Sequence, residues 1–164
     1  MQLLTVEIRA EQHIVLARQR ARHVAELLGF DRQDQTRLAT AVSELARNAF
    51  QYAGGGRVTF SVDDAAAAAG AGESTLRVRV EDSGPGIPHL REVLDGTYAS
   101  ATGMGLGLAG VRRLSDEFEI DSRPGAGSRF TARFPAQRLA HAPEHARQPH
   151  HHPGKGDQRE PGEE

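Results

Sequence analysis

No cysteine occurs in the 164 residues, which excludes disulfides, zinc–thiolate centres and cysteine nucleophiles. Lysine is almost missing too. The only one, Lys155, sits in the run Pro153-Gly154-Lys155-Gly156. A P-loop needs a lysine followed by Ser or Thr where a helix opens, and a eukaryotic-type protein kinase needs a strand lysine on its phosphates. Neither is available, so any nucleotide must be held another way. No stretch approaches the roughly 20 apolar residues of a membrane span. The opening Met1-Gln2-Leu3-Leu4-Thr5-Val6-Glu7 also lacks the basic-then-apolar layout of a secretory leader. A cytoplasmic protein with no membrane partner is expected. A basic surplus is absent: net charge is −2, with 16 basic against 17 acidic residues over 1–135 and four against five over 136–164. Nucleic-acid binding normally rests on such a surplus, so no nucleic-acid partner is expected.

What is present organises into one domain and a tail. Residues 3–8 read as a short strand. Residues 11–28 follow a helical period through Ile14, Leu16, Ala17, Ala21, Val24, Ala25 and Leu28, with Gly29 in the stop position. Asp31 or Asp34 can cap a second helix running to about Ala53 and ended by Gly54-Gly55-Gly56. Arg57–Val62 and Thr75–Glu81 alternate apolar and polar residues as strands do. The Ala- and Gly-rich segment between them, 63–74, reads as a long hairpin loop. Seven glycines and two prolines fall in 82–110, too many for regular structure throughout. A helical pattern resumes over Leu106–Leu114. Phe118–Ser122 and Ser128–Phe134 are the closing strands, around a turn at Pro124-Gly125-Ala126-Gly127. From Ala136 onward the only large aliphatic is Leu139, while five of eight histidines and four of eight prolines gather there. Such a composition does not bury enough apolar surface to offset ordering. The expected division is 1–135 as the folded domain and 136–164 as a disordered tail, whose His150-His151-His152 run is either low-complexity sequence or a loose metal binder.

Three places carry chemistry. On the second helix, with Leu45 at 0° and about 100° per residue, Leu38, Ala41, Val42, Ala49 and Tyr52 form the buried stripe. Asn48 falls near −60° and Glu44 near −100°, about one turn apart on one edge of it. A carboxylate and a carboxamide therefore stand together where core meets surface. Alone, that is the position of many solvated boundary residues. Next, Val80-Glu81-Asp82-Ser83-Gly84-Pro85-Gly86-Ile87 ends a strand in acids and passes through Gly-Pro-Gly, where the chain can approach a ligand closely. An acid at a strand end can accept hydrogen bonds from an amino group. Last, Thr102-Gly103-Met104-Gly105-Leu106-Gly107-Leu108 enters a helix, exposing backbone N–H groups to an anion. Without a preceding strand this is not a dinucleotide-binding fingerprint.

In that order the three motifs resemble the GHKL (Bergerat-fold) ATP-binding superfamily, which includes histidine-kinase catalytic domains, gyrase-type ATPases and anti-sigma serine kinases. The resemblance spans roughly 5–135. Thr40-Ala41-Val42-Ser43-Glu44-Leu45-Ala46-Arg47-Asn48, Tyr52-Ala53-Gly54-Gly55-Gly56, Asp82-Ser83-Gly84-Pro85-Gly86-Ile87, and Gly105-Leu106-Gly107-Leu108 through Asp116-Glu117-Phe118 are most similar to the regulatory serine/threonine kinases of the stressosome switch. The resemblance implies an α+β two-layer sandwich: a mixed or antiparallel sheet covered by helices on one face, with a mobile ATP lid over 88–104.

By the same resemblance, Glu44 is the catalytic base and Asn48 holds Mg²⁺. Asp82 accepts the adenine amino group, and Gly84, Gly86 and Ile87 pass beside the purine. Gly103, Gly105, Leu106 and Gly107 hold the phosphates. Ser128 stands where relatives often use threonine. Tyr52 either packs on the nucleotide or belongs to the core. The implied activity is transfer of the ATP γ-phosphate to a STAS-type antagonist protein in a partner-switching pathway, with a phosphatase or sigma factor as further partners and a homodimer left open. An anti-sigma factor acting mainly by binding, or a histidine-kinase-like ATPase domain, are the alternatives. Two departures stand out. Gln51 replaces a basic residue found in histidine-kinase relatives. Any cation at the γ-phosphate must also be an arginine, for which Arg91 is a candidate.

Overall fold

The computed structural model describes residues 1–63, 74–94 and 107–135. Strand β1 (Gln2–Ile8) leads into helices α1 (Glu11–Leu27) and α2 (Arg32–Ala53). Strands β2 (Gly56–Asp63) and β3 (Thr75–Asp82) follow, then the short helix α3 (Leu90–Leu94), helix α4 (Gly107–Leu114), and strands β4 (Glu117–Ser122) and β5 (Ser128–Pro135). The strands form one sheet in the order β1-β2-β3-β5-β4, and every pairing is antiparallel. The chain leaves the sheet after β3, returns at the far edge as β4, and turns back through a hairpin to place β5 beside β3.

Alternation builds the two layers. Val6 and Ile8, Val58 and Phe60, Val78 and Val80, and Phe130 and Phe134 point inward from their strands and are buried. The helices cover that side: α1 packs on α2 and β1, α2 on β2 and β3, and α4 on α2 and β4. Ile14, Ala17, Ala21, Val24 and Ala25 form the buried face of α1, while Leu16 of the expected apolar set is exposed. Asp31 caps α2, its side chain accepting from the Asp34 N–H at 2.8 Å. Gly54 closes the helix in the left-handed conformation, φ 73°. The other sheet face carries polar residues. At one end Glu7, Arg57, Glu81, Arg129 and Asp121 lie in a single row of alternating sign across all five strands. Hydrogen bonds that Arg57 donates to Glu7 and Arg129 donates to Glu81, reinforced by charge, hold both guanidiniums above their ordinary pKa.

One sequence expectation is overturned here. Tyr52 does not belong to the buried stripe; it is 54% exposed. The buried positions of α2 stop at Ala49, so the helical period runs one turn past the part of the helix that the core covers. The segments 64–73, 95–106 and 136–164 lie outside the described residues. With them lie Gly103, Gly105 and Leu106, most of the expected lid and hairpin loop, and the tail.

Candidate functional site

The C-terminal half of α2 brings the acid and amide to one edge, as its period predicts. Glu44 is buried, with 8% of its surface exposed, and Asn48 one turn on is half-buried. A carboxylate this enclosed needs a partner. Arg47 supplies it, donating from Nη1 to Glu44 Oε1 at 2.6 Å. The Arg47 side chain is 44% exposed against 10% for that of Glu44. The carboxylate is thus fixed while the guanidinium reaches solvent. Sequence reasoning looked for an arginine elsewhere. Arg91 lies exposed on α3, whereas Arg47 touches a predicted catalytic group.

The strand-end motif meets α2 at its last turn. A Cβ added to Gly84 would lie 2.5 Å from Ala53 Cβ, so only glycine lets the loop after β3 lie this close to the helix. Asp82 accepts from the Gly84 N–H at Oδ1, 2.9 Å, which fixes the turn. The β4–β5 turn holds the loop from the other side. Gly125 N–H donates to the Pro85 carbonyl at 2.7 Å, and Ile87 N–H donates to Ser122 Oγ at 2.9 Å. Gly86, at φ 73°, sits against the Arg123 carbonyl, and Gly127 against that of Asp82. The two turns form a clasp.

Ser128 occupies the predicted place on β5. It is the Cα partner of both Asp82 on β3 and Ser122 on β4, and it is buried. Its hydroxyl lies 2.9 Å from that of Ser122. The sequence reading passed over Ser122. The available signal was a polar residue two places after Ile120 and four after Phe118, on the face those residues turn to the core. Gly107 opens α4 at φ 57°, with open space where a side chain would be. A polar hollow of about 320 Å³ at this end of the sheet is lined by Glu81, Asp82, Arg123, Ser128 and Arg129 among others. A larger hollow, about 410 Å³, lies between β1 and α1 and contains none of the candidate residues. We give it no part in the chemistry.

Glu44 and Asn48 on a helix, an acid followed by Gly-Pro-Gly, and a glycine-led helix on one face of an antiparallel sheet define a nucleotide-binding class. Residues 33–138 match the family model for histidine kinase-, DNA gyrase B- and HSP90-like ATPases. The chain belongs to that ATPase family. Within it, the chain is 44% identical over 127 residues to serine/threonine-protein kinase RsbT of Bacillus subtilis, covering 77% of this chain and 92% of the relative. Sensor histidine kinase RcsC of Escherichia coli is 33% identical over 116 residues, which is 62% of this chain and 11% of RcsC. Among solved structures, the histidine kinase domain from the Erythrobacter litoralis EL346 blue-light activated histidine kinase superimposes with a TM-score of 0.48 at 20% identity. That superposition covers 77% of this chain and 60% of that one.

Proposed function

We propose that this chain is a cytoplasmic serine/threonine protein kinase that transfers the ATP γ-phosphate to a STAS-type antagonist in a partner-switching stress pathway. A phosphatase or sigma factor completes the switch. The observation that carries the reading is Glu44, a carboxylate held almost out of solvent one turn before Asn48. The near-coextensive likeness to a protein named as a serine/threonine kinase supports it. Glu44 takes the proton of the substrate hydroxyl as that oxygen bonds to the γ-phosphorus and ADP leaves. Phosphoryl transfer asks mainly for positioning and charge neutralisation, so one well-placed base suffices. Arg47 engages Oε1, which leaves Oε2 to receive the proton. Mg²⁺ prefers oxygen ligands and keeps several waters, so one amide oxygen plus phosphates can hold it. Asn48 offers that oxygen, and the bound ion would neutralise phosphate charge. Asp82 accepts the adenine amino group, Tyr52 packs on the nucleotide, and Gly103, Gly105 and Gly107 hold phosphates. Residues 1–135 are the kinase unit and 136–164 a tail outside it.

The test is incubation with labelled ATP, Mg²⁺ and purified STAS proteins. Acid-stable label on the STAS protein is expected; acid-labile label would point to histidine chemistry instead. Glu44→Gln should still bind ATP yet transfer about 10²–10⁴-fold more slowly. Normal phosphorylation by that variant removes Glu44 from the mechanism. Capture of a sigma factor with no labelled STAS product would favour sequestration over catalysis.

A further inference from the structure

Asp82 and Ser128 are Cα partners at the adjoining ends of β3 and β5. Both side chains lie on the helix-covered side of the sheet, because Val80 and Phe130, two residues along each strand, are buried there. Asp82 commits Oδ1 to the Gly84 N–H. Its second oxygen can only accept. What Ser128 presents beside it depends on its own hydroxyl, and that hydroxyl is in contact with Ser122.

Ser122 Oγ accepts from the Ile87 N–H at 2.9 Å. A serine hydroxyl has a single hydrogen to give. For Ser122 the takers are Ser128 Oγ at 2.9 Å and the Gly127 carbonyl at 3.4 Å. The shorter contact falls in the normal range for O–H···O bonds and the longer one does not. Either hydroxyl can donate in the shorter contact; in the arrangement proposed below Ser122 donates, so Ser128 accepts and keeps its own hydrogen to donate onward. The chain of bonds then runs in one direction: Ile87 N–H to Ser122, Ser122 to Ser128, Ser128 outward.

The end of the sheet then offers an acceptor, Asp82, next to a donor, Ser128. The Watson–Crick edge of adenine is the complement, with an amino donor beside a ring-nitrogen acceptor. Guanine reverses the order, with a carbonyl acceptor beside a ring N–H donor. We propose that Ser122 is a positioning residue that selects adenine over guanine by fixing the direction of the Ser128 hydroxyl, whether the base is met directly or through one water. The proposal rests on the nucleotide-binding reading above and assigns its base specificity to a residue two strands away from Asp82.

The experiment compares Mg²⁺–ADP and Mg²⁺–GDP binding to the full chain by calorimetry. The unaltered protein should prefer ADP. Ser122→Ala frees the Ser128 hydroxyl to turn, and the ADP-over-GDP ratio should fall about tenfold or more, since sites built around one hydrogen-bonding pattern discriminate strongly. Ser122→Thr, which keeps the hydroxyl, should retain the ratio. In a Ser128→Ala background, Ser122→Ala should change the ratio no further. An unchanged ratio in Ser122→Ala overturns the proposal. That includes equal weakening of both nucleotides, the outcome if Ser122 only supports the Ile87 loop. A further fall in the Ser128→Ala background overturns it too. If the unaltered chain takes up neither nucleotide, the nucleotide reading itself falls and this proposal with it. Intact discrimination in Ser122→Ala sinks this proposal alone.

Discussion

Replacing Gly84 with alanine asks whether the first glycine of the loop after β3 serves the protein or only its ligand. The added Cβ would lie 2.5 Å from Ala53 Cβ, 2.9 Å from Ala53 Cα and 3.1 Å from Asp82 Oδ1. Carbon atoms settle at about 3.5–4.0 Å, so the methyl overlaps α2 by about 1 Å. Ala53 has no rotamer to change, and its Cα belongs to the helix. Relief must come from the loop backbone. That movement disturbs the 2.9 Å bond from Gly84 N–H to Asp82 and re-aims the carboxylate. Overpacking of this kind costs about 1–3 kcal/mol, or about 2–12 °C in Tm for a chain of this size. ADP affinity should fall as well. Gly54→Ala is the control: a Cβ there meets nothing within 4 Å, and only the left-handed backbone, φ 73°, resists it. It should cost about 1–2 kcal/mol and leave ADP binding intact. Thermal melts and ADP titration of both variants decide the matter. A Gly84→Ala protein with unchanged Tm and affinity would show slack that the contacts deny. Equal loss of ADP affinity in Gly54→Ala would show that the binding defect is general destabilisation.

Arg47→Ala leaves the Glu44 carboxylate enclosed without its charged donor. With Arg47 itself 44% exposed, the stability loss should be about 1 kcal/mol, read by urea unfolding. Phosphoryl transfer should fall while ATP affinity holds, because the proposed base loses its orientation; an unchanged rate would detach Arg47 from the site. The acid limb of stability tests Glu119. The hydrogen bond from Arg133, then its charge, holds that carboxyl below its ordinary range. A folded-state pKa below the unfolded one contributes stability that is full above the unfolded value and is lost as pH falls through the folded one. Arg133→Gln should therefore flatten the loss of stability on acidification, weakly because the pair is exposed. An acid limb identical to that of the unaltered chain refutes it.

How far the sequence reaches depends on whether a feature is local. Asp31 and Gly54 mark the ends of α2 because capping is settled within a few residues. The strands follow from alternation, and Glu44 and Asn48 share an edge because helical phase needs no tertiary information. Tyr52 fails for the same reason, since periodicity predicts which face a residue is on and not where the covering sheet stops. Arg47 reads as an outward charge until Glu44 is seen to be enclosed. Ser122 shows in the sequence only as a polar residue in phase with Phe118 and Ile120, because its partners, Ile87 and Ser128, come from separate segments brought together by the sheet order β3-β5-β4. Gly86, expected to pass beside the purine, also lies against the Arg123 carbonyl, a contact between residues 37 apart in sequence.

That last point changes what the glycines mean. Gly84 against Ala53, Gly86 against Arg123 and Gly127 against Asp82 are each required by the protein's own backbone before any ligand is considered. On the proposed function, the nucleobase end of the site is built by packing two turns together, with Asp82, Ser128 and Ser122 in one row across β3, β5 and β4. A site assembled in advance avoids the ordering cost of binding. The transfer end is preorganised differently, by a helix of 22 residues buried along its middle. The two ends meet along α2, most tightly at its last turn, where Ala53 lies against Gly84. Changes in the β4–β5 turn should consequently act on nucleotide affinity with the transfer step intact, and changes at Glu44 or Arg47 should do the reverse. A turn variant that slowed transfer at saturating ATP would mean the two halves are coupled through α2.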